Sequence, residues 1–158
     1  SVGGSVGLGP YALSNDNGTD NNNVAVGAGG SLGSCSTGYR NVAIGYGSLW
    51  ANNYGFENTA IGAESLNSVT TTLGNSLEGR RNIGIGYNAG NAITTGSSNT
   101  IIGSLPGSTV LTDTVLIGAH STERLKVNSE GLYINELFLG LVDLGAILFN
   151  CLQSSQIP

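Results

Sequence analysis

Asn41-Val42-Ala43-Ile44-Gly45 and Asn58-Thr59-Ala60-Ile61-Gly62 are one pattern written twice, and the pattern decides how this chain folds. It returns at Asn23-Val24-Ala25-Val26-Gly27, Asn82-Ile83-Gly84-Ile85-Gly86, Asn99-Thr100-Ile101-Ile102-Gly103 and Thr114-Val115-Leu116-Ile117-Gly118, with a weaker copy at Ser5-Val6-Gly7-Leu8-Gly9. The closing glycines fall at 9, 27, 45, 62, 86, 103 and 118, in steps of 18, 18, 17, 24, 17 and 15 residues. That period belongs to stacked solenoid coils, not to a globular domain.

Each copy reads as a short strand followed by a sharp turn. With a side-chain period of two, Val24/Val26, Val42/Ile44, Thr59/Ile61, Ile83/Ile85, Thr100/Ile102 and Val115/Ile117 point to one face. The residues between them, Ala25, Ala43, Ala60 and Gly84, are small, which lets a second layer of backbone approach from the other side; Ile101 and Leu116 relax this rule toward the C-terminus. Small-in, large-out alternation suits a thin coil. Gly27, Gly45, Gly62, Gly86, Gly103 and Gly118 fit a positive φ or a close backbone approach, and Asn23, Asn41, Asn58, Asn82 and Asn99 are placed to stack as an amide ladder along the rod.

Composition agrees. The chain has 26 Gly in 158 residues, no Met, and only 5 basic against 10 acidic residues. A solenoid needs no thick aliphatic core, because each coil is stabilised by its neighbours. A formal charge of −5 and few cations argue against binding a phosphate backbone, so nucleic acid is not an expected partner. The missing initiator Met marks Ser1 as something other than a translation start, and no signal peptide is visible. Cys35 and Cys151, far apart in a rod, read as free thiols or as an intermolecular contact near a symmetry axis.

Several stretches interrupt the regularity. Asn15 to Asn22 is a polar tract with oxygen ligands but without the spacing or terminal Glu of an EF-hand, so it reads as a turn-rich loop rather than a Ca²⁺ site. Trp50, Asn52, Asn53, Tyr54 and Phe56 join aromatic faces to amides, the equipment of a saccharide-binding surface, although the plainer reading is that they cover the rod surface or pack between subunits. Ser68 to Arg81 fills the 24-residue step as a projecting loop.

The chain divides into a solenoid shaft over 1–118, a terminal β-hairpin or wide coil over 119–136, and an apolar C-terminal trimerisation segment over 137–158. In the last, Leu137, Leu141, Leu144, Leu148 and Cys151 follow steps of 4, 3, 4 and 3, the seam of a short parallel coiled coil with a helical tip, although Gly140 and Gly145 weaken any helix. It is too short for a membrane span and contains Asp143. His120 is the only histidine, so no His-based metal site forms within one chain. No nucleophile elbow or phosphate loop is present. Glu57, Glu64 and Glu78 are candidates for a glycosidase pair only if they share one groove. The expectation is a non-enzyme without cofactor or metal.

The stretches Asn41 to Leu49 and Asn58 to Leu66 resemble the NTAIGYxAL coils of viral and bacteriophage tail fibres, and Val115 to Asn135 resembles the segment leading, in many such fibres, toward a C-terminal endosialidase-type intramolecular chaperone. The coils are more distantly similar to the β-roll heads of trimeric autotransporter adhesins. The likeness covers residue 5 to about residue 135. It implies an all-β parallel solenoid assembled as a homotrimer of parallel chains, with the apolar stripes meeting near the axis. It further implies a structural and attachment role on a virion or in the extracellular space, with adjoining fibre or virion proteins and a cell-surface glycan or protein receptor as partners. The head of a bacterial surface adhesin and a purely structural filament subunit are the alternatives.

Overall fold

The computed structural model describes residues 4–16, 21–71, 77–119 and 122–134. Among these residues, nine strands form one sheet in chain order: β1 (Val6–Leu8), β2 (Val24–Val26), β3 (Val42–Ile44), β4 (Thr59–Ile61), β5 (Ile83–Ile85), β6 (Thr100–Ile102), β7 (Val115–Ala119), β8 (Thr122–Asn128) and β9 (Gly131–Ile134). β1 to β7 pair in parallel, while β8 runs antiparallel to β7 and β9 antiparallel to β8. The chain is an all-β solenoid of about six turns with no helix among the described residues. At ~4.8 Å between strands, each turn advances the rod by one strand spacing.

Register follows the repeat. Val42 lies opposite Thr59, Ala43 opposite Ala60 and Ile44 opposite Ile61, and the same alignment holds from β1 to β7. Differences in step length therefore fall in the connections. In the longest step, Thr70 N–H donates to Thr94 O and Gly79 N–H to Thr95 O, so the coil is tied to its neighbour on both sides of the added residues. Residues 72–76 of the Ser68 to Arg81 stretch lie outside the described residues.

Small-in, large-out alternation is what the strands show. Ala25, Ala43 and Ala60 are fully buried, while Ile44, Ile61 and Ile85 are each 38% exposed. Behind the strands, Leu32, Leu49 and Leu66 form a second buried column, and Cys35, Val69 and Ile93 belong to a third. The larger Ile101 fits because the opposing side shrinks: a Cβ on Gly90 or on Gly107 would come within 3.2 or 3.3 Å of Ile101 Cδ1. Core volume is conserved by moving bulk from one wall to the other.

The strand-ending glycines meet two demands together. Gly45 and Gly62 have φ of +131° and +127°, and a Cβ on Gly62 would sit 2.5 Å from Gly86 O in the next coil. Gly118 differs, because β7 continues through it to Ala119; its φ is not positive, and only the close approach of Thr122 O excludes a side chain.

Inside the coil, Asn41 Nδ2 donates to Gly55 O across the turn (2.9 Å), and its Oδ1 accepts Asn58 N–H from the next coil (3.0 Å). Asn58 repeats this with Gly79 O (2.8 Å) and Asn82 N–H (2.9 Å), and Asn82 with Gly96 O (2.9 Å) and Asn99 N–H (3.2 Å). Asn23 begins the column by taking its own N–H bond to Ser5 Oγ, and Thr114 N–H ends it on Asn99 Oδ1. Each amide serves backbone groups of two coils that water does not reach.

Candidate functional site

Outside the coil, the strand face forms one continuous surface. Val127 lies opposite Val115, Leu125 opposite Ile117, Ile134 opposite Leu125 and Leu132 opposite Val127, so β8 and β9 extend the face built by Val24/Val26 through Val115/Ile117. Directly opposed residues share a face. Among the described residues of this face in β1 to β7, Thr59 and Thr100 interrupt the aliphatic side chains.

Two corners flank this face. At the entry corner, the residue before each ladder position is left-handed: Arg40 (+55°), Glu57 (+58°), Arg81 (+55°), Ser98 (+61°) and Asp113 (+49°). That conformation turns one side chain to solvent and the following Asn or Thr inward. Arg40 Nη1 lies 3.3 Å from Glu57 Oε1, and Arg81 Nε lies 2.9 Å from Glu57 Oε2. One carboxylate thus bridges cations of the coils before and after it. The hydrogen bond from Arg81 above all, supported by Arg40, holds the Glu57 carboxyl below its ordinary range.

Next to this column, Tyr39 and Phe56 stack with centroids 4.8 Å apart and planes at 3°, and the Arg80 guanidinium lies 5.8 Å from the Phe56 centroid. The centroid distance is the strand spacing, so stacking follows from placing rings at equivalent positions of successive coils. At the exit corner, Tyr46 and Tyr87 follow the strand-ending glycines and are 60% and 59% exposed. The Tyr46 ring lies over Gly29 of the preceding coil, where any Cβ would collide with it.

The members of the aromatic and amide group expected from sequence differ in exposure and in partners. Trp50 is half-exposed, with its ring against Gly30. Asn52 is fully buried, its Nδ2 donating to Gly55 O (3.2 Å) and its Oδ1 without a partner, so it offers nothing to a sugar; this corrects its assignment as a contact residue. The cause is the turn: Asn52 N–H bonds back to Leu49 O as Cys35 N–H does to Leu32 O, which puts both side chains in the same inward column. Asn53 Oδ1 accepts Ser36 Oγ–H (2.5 Å), and Asn53 O accepts three backbone N–H groups, from Ser36, Thr37 and Gly38. Phe56 is engaged by Tyr39 and Arg80, while Tyr54 is half-buried and shares no ring stack with Trp50 or Phe56.

Arg40, Tyr46 and Tyr87 carry no assignment from the sequence, although their fixed offsets from the ladder Asn and the closing Gly are the available signal; Arg81 closes the Ser68 to Arg81 stretch already singled out. Cys35 is an inert core thiol: burial pushes it up to about 12, nearby Asp16 adds to the rise, and its Sγ–H donates to Gly38 O. In the polar tract, Asn21 Nδ2 donates to Asp16 Oδ1 (2.6 Å), while residues 17–20 lie outside the described residues. The seam Leu137, Leu141, Leu144, Leu148 and Cys151 lies outside them as well. Comparisons with protein-family models, curated proteins and solved structures find no match to this chain.

Proposed function

We propose that this chain is the shaft and attachment segment of a homotrimeric fibre, displayed on a virion or in the extracellular space, whose work is rigid display and multivalent binding. The observation supporting this is the outward strand face. From the exposures of its members it presents on the order of 1,000 Å² of apolar surface, where the largest patch on an ordinary monomer is ~300–600 Å² and a stable interface needs ~800 Å² per partner. The face runs the length of the sheet, which suits burial against further copies of the same rod around a common axis. Trp50, half-exposed outside the strand face, supplies a flat aromatic surface for a cell-surface saccharide, and three copies per fibre multiply a weak contact into avidity.

Sedimentation equilibrium tests the assembly. The expected mass is three times the 16.0 kDa chain, and Ile61→Asp, which places a charge in the buried face, abolishes it. A folded species of 16.0 kDa refutes the proposal. For attachment, Trp50→Ala leaves the trimer intact and weakens glycan-array or cell binding; undiminished binding removes Trp50 from the role.

A further inference from the structure

We infer that neighbouring copies in such a trimer are joined by an interchain arginine–tyrosine ladder, with Arg40 of one copy over Tyr46 of the next and Arg81 over Tyr87 of the next. The inference rests on the trimer reading and adds which surfaces meet. In a parallel assembly about an axis along the rod, strands lie across that axis and circulate around it. The entry corner of one copy then abuts the exit corner of its neighbour, a heterologous contact closed by rotation. Rotation without translation keeps equal coils at equal height.

The residues at the two corners correspond coil by coil. In the β3 coil Arg40 stands at entry and Tyr46 at exit; in the β5 coil Arg81 stands at entry and Tyr87 at exit. Between them, the β4 coil has Glu57 at entry and small Ala63 at exit, so the acid meets no aromatic face. Arg40 lies 5.6 Å from the Tyr39 centroid of its own chain and the Tyr46 ring packs on Gly29, yet the arginines retain 64% and 56% side-chain exposure while bound to Glu57 and both tyrosines are more than half exposed, which leaves each of them surface for a neighbour. Both corners border the apolar strand face, the place of a polar rim around a buried core. Arginine on an aromatic ring is the contact such a rim favours, because guanidinium is weakly hydrated and stacks flat.

The test is crosslinking of the full chain carrying Arg81→Cys and Tyr87→Cys with a short bismaleimide, read as covalent species on a denaturing gel beside native mass. Only covalent species larger than one chain are counted, so a link within one chain does not register and linkage reports a neighbour. The parent chain is the blank for Cys35 and Cys151, and Arg40→Cys with Tyr46→Cys is the second pair should the first disturb folding. Covalent trimer from either matched pair is expected, and none from Arg81→Cys with Tyr11→Cys, which are four coils or about 19 Å apart along the rod. A native trimer that links in neither matched pair overturns the ladder and leaves the trimer standing. Linkage by Arg81→Cys alone or Tyr87→Cys alone shows like corners meeting and also overturns it. A folded monomer overturns both readings.

Discussion

Asn58→Ala cuts the ladder at its middle, and its cost follows from the bonds that disappear. Asn58 is fully buried; its Nδ2 donates to Gly79 O (2.8 Å) and its Oδ1 accepts both Asn82 N–H (2.9 Å) and Asn82 Nδ2–H (3.2 Å), the latter group keeping its bond to Gly96 O. Alanine strands the Gly79 carbonyl and the Asn82 N–H, which the Asn58 side chain had bonded in the interior. Each stranded buried group costs ~1–3 kcal/mol, so the substitution is expected to cost about 4 kcal/mol once the lost packing is included. For a chain of this size, that lowers the unfolding midpoint by roughly 8–16 °C. Asn67→Ala is the matched control, because Asn67 makes one part-buried bond, Nδ2 to Gly47 O (2.9 Å), and its loss costs ~1 kcal/mol. The assay is circular dichroism melting with guanidinium titration at matched chain concentration, since any oligomer makes the midpoint concentration-dependent. Equal losses in the two variants, or a loss under ~1 kcal/mol for Asn58→Ala, refute the argument that the ladder satisfies backbone groups no solvent can reach.

Other expectations are separable. Gly62→Ala combines φ +127° with a Cβ 2.5 Å from Gly86 O, whereas Gly131→Ala has φ +140° and open space, so melting should show a loss above ~2 kcal/mol for the first and nearer 1 kcal/mol for the second. Glu57 has a depressed folded pKa, so its contribution is full above the unfolded value and fades as pH falls through the folded one; Glu57→Gln should flatten the acid side of the stability profile, and high salt should erase the difference. Cys35, buried with its thiol raised to about 12, should resist iodoacetamide at pH 8 in the folded chain and label rapidly in guanidinium, as read by peptide mass mapping; rapid labelling without denaturant contradicts its place in the core.

The sequence by itself determined the repeat, and with it the solenoid. A strict five-residue pattern at a nearly constant period leaves few ways to stack, and alternation within each strand sets which side chains turn inward. Ala43 and Ala60 inside, Ile44 and Ile61 outside, and a strand-ending Gly at each corner all follow from local geometry. Tertiary structure decided what lies beyond the strands. Asn52 and Trp50 are two residues apart in a polar, aromatic stretch, yet one is sealed in the core and the other half-exposed, because the turn closed by Asn52 N–H on Leu49 O sends only the first inward. The same holds for Ile101, admitted by Gly90 and Gly107, and for Glu57, which reaches Arg40 and Arg81 in the coils on either side of its own. Antiparallel β8 and β9 continue the apolar face of the parallel strands through pairing, not through the repeat. Local pattern fixes the side a strand residue takes; the side of a turn residue depends on φ signs and carbonyl positions that only stacked coils establish.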